Sequence, residues 1–130
     1  MRTAAILFAT VASVLSVAAA DFSGTYKGTW TGGQADGDFT MTLRSGEDGP
    51  AKADVSFTIA GQNVKCNVTS VKVDGSKIEI VYEFDLGDVR LQSTVIGQLS
   101  GKALEGTYKT KSLADGSAVD EGTWKVAQTS

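Results

Sequence analysis

The chain has 130 residues, with 12 basic and 15 acidic side chains, no His, one Cys and 15 Gly. It has no Lys/Arg cluster, which argues against nucleic acid or an anionic membrane surface as a partner. The lone Cys66 excludes an internal disulfide, and the missing His removes the commonest general base and metal ligand.

In chain order, Met1-Arg2 gives a short positive start, Ala4 to Val17 is uncharged and apolar, and Ala18-Ala19-Ala20 puts small residues before Asp21. This pattern predicts a secretory signal peptide over 1–20, and with it a secreted or periplasmic location. The apolar run is shorter than the ~20 residues of a spanning helix, so no membrane insertion is expected after signal cleavage. Residues 21–130 then form a single domain carrying 11 basic and 15 acidic side chains, a net charge of −4.

From Asp21 onward the sequence is short alternating runs cut by Gly and Asp, rich in Thr and Val, with no helical stretch. Eight strands are predicted, at 23–31, 37–44, 52–60, 63–72, 77–86, 89–99, 103–112 and 118–127. All links are short, so successive strands run antiparallel as a meander. A Gly61-Gln62 turn brings Ile59 to Val64 and Phe57 to Cys66. A three-residue loop, Val73-Asp74-Gly75, sets Cys66 against Tyr82 and Val68 against Ile80, with Lys65 facing Glu83 outside and Val71 left outward. A two-residue Asp74-Gly75 turn with a bulge near Thr69 is the alternative. Gly87-Asp88 pairs Phe84 with Leu91, Tyr82 with Ser93 and Ile80 with Val95, while Asp85 meets Arg90 outside. Ala114-Asp115-Gly116 sets Gly106 opposite Trp124, Tyr108 opposite Gly122 and Leu104 opposite Val126. The outer face of that hairpin then matches Glu105 with Lys125, Thr107 with Thr123 and Lys109 with Glu121.

Four copies of Gly-Thr followed by Tyr or Trp stand near the two ends of residues 21–130: Gly24-Thr25-Tyr26, Gly28-Thr29-Trp30, Gly106-Thr107-Tyr108 and Gly122-Thr123-Trp124. Residues i and i+2 share a strand face, so each copy sets a bare backbone position beside a large ring. Pairing Trp124 with Gly24 and Gly122 with Tyr26 would zip the last strand to the first. The expected fold is all-β, an eight-stranded antiparallel up-and-down (meander) barrel, with a two-sheet sandwich as the competing arrangement. On the strand at 77–86, Lys77, Glu79, Glu83 and Asp85 face outward and Ile78, Ile80, Tyr82, Phe84 and Leu86 inward, the reverse of a lipid-facing barrel.

Little in this chain points to catalysis, and no enzyme activity or cofactor is expected. Cys66 is predicted inward beside Phe57, Tyr82 and Val68, as a small core hydrophobe. Asp36-Gly37-Asp38 and Glu47-Asp48 read as turn makers rather than calcium loops, so no metal site is expected. Asn67-Val68-Thr69 fits the glycosylation sequon, which matters only in a eukaryotic secretory route. Tyr82 and Ser93 are the polar pair placed inward, with Tyr108 near. Together with Trp30, Phe57 and Phe84 they form the candidate lining of an apolar chamber for a small ligand.

Gly28-Thr29-Trp30 resembles the Gly-x-Trp opening of lipocalins and, loosely, of avidins, and Leu104-Glu105-Gly106-Thr107-Tyr108 is similar to avidin-like strands. The chain also resembles small exported bacterial domains rich in Gly-Thr-Trp and Gly-Thr-Tyr. The resemblance implies a small barrel and no particular ligand. Lipocalins place an Arg of the last strand over that Trp, where this chain offers only Lys125, predicted outward. Avidin sites use several Trp residues, and here Trp30 and Trp124 stand alone. The leading expectation is a secreted, non-catalytic barrel that binds a small apolar ligand in its interior. The alternative is a structural or protein/glycan interaction module with a filled interior, using outward Val71, Val81 and Ile96. A chamber of ~300 Å³ or more reaching one mouth separates the two.

Overall fold

The computed structural model describes residues 23–44 and 52–129; the expected signal peptide and Glu47-Asp48 lie outside them. The alternating runs form nine strands, β1 Gly24–Gly32, β2 Asp36–Arg44, β3 Lys52–Ile59, β4 Gln62–Lys65, β5 Asn67–Asp74, β6 Lys77–Leu86, β7 Val89–Ser100, β8 Ala103–Ser112 and β9 Ala118–Gln128. They make one antiparallel meander sheet, ordered β4-β3-β2-β1-β9-β8-β7-β6-β5 and curled into a half-barrel around the core. On β6 the predicted alternation holds: Ile78, Ile80, Tyr82 and Phe84 are buried while Lys77 and Asp85 are exposed. Among the described residues no helix is long and apolar enough to cross a membrane.

Nine strands replace the expected eight because the run at 63–72 breaks at Cys66. Residues before the break pair with β3 and residues after it pair with β6, while the Cys66 N–H donates to the Val55 carbonyl at 3.1 Å. The two edge strands of the sheet are therefore consecutive in the chain. Beyond Cys66, β3 and β5 diverge around a cleft lined by Ala53, Asp54, Val68 and Thr69. A bulge at Thr69 bends β5 at this point, as the extra residue of a bulge does.

The registers of two hairpins are those predicted. The Gly87-Asp88 turn sets Tyr82 opposite Ser93 and Phe84 opposite Leu91. The last hairpin sets Gly106 opposite Trp124 and Tyr108 opposite Gly122, holding that register as far as Thr110 and Asp120 before a bulge. Two other turns differ. The β3–β4 turn is Ala60-Gly61, with φ of 52° and 79°, the mirror-image turn whose twist suits a hairpin. Phe57 consequently faces Val64, not Cys66, and Ile59 faces Gln62. The β5–β6 turn is Gly75-Ser76, and with the Thr69 bulge it sets Val68 opposite Tyr82 and Val71 opposite Ile80. Val71 thus packs against the core instead of facing out. Glu83 faces Asn67 rather than Lys65, and its cation is Arg90, 3.7 Å away.

The first and last strands do pair, yet Trp124 lies opposite Trp30 and Gly122 opposite Gly32, not opposite Gly24 and Tyr26. The displacement is an even number of residues, so every side chain keeps its predicted face and alternation alone cannot detect it. The motif glycines serve close backbone approach. A Cβ on Gly106 would run into the Ile96 carbonyl of β7, so only glycine permits this crossing.

The interior differs between its two ends. Toward the turns at 75–76 and 101–102, Tyr26, Met41, Ile80, Leu104 and Val126 pack solidly, each no more than 1% exposed. The opposite end carries the links at 33–35, 60–61, 87–88 and 113–117, and there the packing opens.

Candidate functional site

Neighbouring registers carry one band of inward residues around the open end. Tyr82 lies opposite Ser93, Ser93 opposite Thr110, and Thr110 opposite Asp120. Trp30 and Trp124 face each other across β1 and β9. These residues wall a cavity of about 200 Å³. Gln34 and Val119 are exposed and also line it, so the cavity reaches the surface between the β1–β2 link and the start of β9. All six expected residues, Trp30, Phe57, Tyr82, Phe84, Ser93 and Tyr108, are on its wall. The volume is below the ~300 Å³ expected of a ligand chamber, so the interior is neither that full-sized chamber nor a filled core. It exceeds the ~150 Å³ of an apolar cavity that admits benzene. One ring or a short chain fits.

The aromatic wall is built from edge-to-face contacts. Trp30 stands nearly perpendicular to Phe57 and Tyr108, with centroids 5.8 and 6.1 Å away, and Phe57 meets Phe84 at 5.0 Å. Such geometry sets ring edges against ring faces and fixes each side chain. The two indoles are satisfied elsewhere, Trp30 Nε1 donating to the Thr58 carbonyl and Trp124 Nε1 to the Thr107 carbonyl, each at 3.0 Å. Their apolar surfaces are left to the cavity.

Polar groups form two clusters. Along the band, the buried hydroxyls of Ser93 and Thr110 are 2.5 Å apart, and Tyr82 also bonds to the Ser93 side chain. Near the mouth, the Tyr108 hydroxyl donates to Asp120 Oδ2 at 2.8 Å and the Gly33 N–H donates to Asp120 Oδ1 at 3.1 Å. Burial holds the Tyr82 phenol well above its usual range, and does the same for Tyr108 with help from the bond to Asp120 and its charge. Both phenols therefore stay protonated and act as hydrogen-bonding groups. Cys66 is half-buried and packs against the core; burial pushes its thiol up to about 12. A thiol in that state is a poor nucleophile.

Thr110 and Asp120 are members of the site that sequence reasoning does not single out. The signal exists, because Asp120 continues the inward series Trp124, Gly122, and Thr110 continues Leu104, Gly106, Tyr108. Asp36 and Asp38, expected in a turn, belong to β2, where the Asp38 N–H donates to Thr58 Oγ1 at 2.9 Å. Among the described residues no group of three or more His, Cys, Asp or Glu side chains could hold a metal ion.

Comparisons with protein-family models, with curated proteins and with solved structures found no match for this chain. The class of protein is therefore defined by the fold and the cavity together: an all-β antiparallel meander, packed solid at one end and hollow at the other.

Proposed function

We propose that this protein is an exported, non-catalytic binding protein whose curled sheet works as an eight-stranded barrel and takes a small, largely apolar molecule into its open end. In this reading β4 and β5 are two halves of one strand that closes the barrel across Cys66. The single observation that carries the proposal is the cavity. It is walled by Trp30, Phe39, Phe57, Tyr82, Phe84 and Trp124 and reaches solvent beside Gln34 and Val119. A ring or short chain placed there would leave water for an apolar wall, at roughly 25 cal/mol per Å² of apolar surface removed. The interaction-module alternative loses Val71, which is partly buried against the core, but keeps Ile96, which is exposed.

Native mass spectrometry of the protein purified from its own host tests this reading. The expected spectrum contains a population with a retained small molecule, released when the protein unfolds. Repeated preparations without added mass, combined with no thermal stabilisation by single-ring compounds, would overturn it.

A further inference from the structure

Among the described residues that line the cavity, Asp120 is the only one with an acidic or basic side chain. It is half-buried, and no ion pair among the described residues includes it. Its two hydrogen-bond donors, the Tyr108 hydroxyl and the Gly33 N–H, are neutral, so they orient the carboxylate without cancelling its charge. Each carboxylate oxygen has lone pairs left for a further donor. Beside it, the rings of Trp30 and Tyr108 are 6.1 Å apart and perpendicular, offering the aromatic surface that attracts cations. A ligand bearing a carboxylate would bring a second negative charge against Asp120 between walls of low polarity, where repulsion is strong.

Resting on the reading of the cavity as a ligand site, we propose that it selects small organic cations: amines carrying one ring or a short chain. The apolar body lies among Phe57, Tyr82, Phe84 and Trp124, and the ammonium group sits at the mouth against Asp120. The buried hydroxyls of Ser93 and Thr110 bond to each other, so this part of the wall makes no demand for charge.

Three probes of one shape separate charge from fit: benzylamine, benzyl alcohol and benzoate, titrated at neutral pH by calorimetry and by fluorescence of Trp30 and Trp124. A charge-assisted hydrogen bond predicts benzylamine binding at least ~10-fold tighter than benzyl alcohol, with benzoate weakest. In Asp120→Asn, which keeps the shape and an acceptor for Gly33, amine and alcohol should bind with near-equal affinity. An unchanged near-ultraviolet circular dichroism spectrum and an unchanged thermal midpoint without ligand would report that the variant is folded. Equal binding of amine and alcohol by the native protein would overturn the cation inference and leave the cavity reading standing, as would an amine preference that survives Asp120→Asn. Binding of none of the three would overturn both.

Discussion

The indole of Trp124 lies directly over Gly97 of β7, so that a Cβ built on Gly97 would meet ring atoms Cζ2 and Cη2. Gly97 itself faces Gly106, which is opposite Trp124 on β9, so one ring spans two bare strands. The ring also edges onto Phe39 at 5.6 Å and anchors its N–H on Thr107, leaving little freedom to move aside. Gly97→Ala should destabilise the fold by about 1–3 kcal/mol, the usual range for overpacking. Chemical denaturation measures this, and near-ultraviolet circular dichroism should report a displaced Trp124. An unchanged midpoint and spectrum would mean that the ring is not seated there.

Ala60 is the only non-glycine residue at positive φ among the described residues. The first position of this mirror-image turn favours Asn, and the left-handed region costs a residue with an ordinary Cβ about 1–2 kcal/mol. Ala60→Asn, at an exposed site, should stabilise the protein by about 0.5–1 kcal/mol, which in a domain of this size raises Tm by ~2–8 °C. A fall in Tm would show that the turn is formed by other residues.

Alkaline pH should unfold the protein in two stages. Cys66 ordinarily titrates at 9.0 and is pushed up to about 12 by burial, so the unfolded chain loses this proton first. Its contribution is complete below pH 9.0 and is lost progressively as pH rises toward about 12. Tyr82 and Tyr108 are raised in the same direction, so their contributions begin to fall above ~10, the usual phenol value. Each of these groups adds a slope of at most about 1.4 kcal/mol per pH unit within its window. Denaturation midpoints measured from pH 7 to 11 should fall first near 9 and then more steeply, and Cys66→Ala should remove the first stage alone. A wild-type midpoint that is flat through pH 10 would contradict the burial of Cys66.

Alternation and turn chemistry make much of this fold legible. Tyr82, Ser93, Phe84 and Tyr108 could be placed correctly because Gly87-Asp88 and Ala114-Asp115-Gly116 admit few registers and the charge pairs outside agree with the apolar pairs inside. Two features were beyond this reasoning. The Trp124–Trp30 register preserves all faces when slipped by an even number of residues, so face polarity carries no information about it. The break at Cys66 is a change of partner, with one half of the run pairing with β3 and the other with β6; no local residue preference encodes that change. Asp120 is a different case: its inward parity is readable, but an acidic residue near a loop resembles an ordinary solvated side chain until Tyr108 and Gly33 are seen to hold it at the mouth.

The most direct measurement is a nitrogen-15 NMR titration with benzylamine that follows the indole N–H signals of Trp30 and Trp124, which line the cavity from the neighbouring strands β1 and β9. Both signals should shift along one saturable curve, while the backbone amides of Met41, Leu104 and Val126, in the solid end, stay in place. Saturation that moves neither indole, or no shift at millimolar ligand, would contradict an interior binding site.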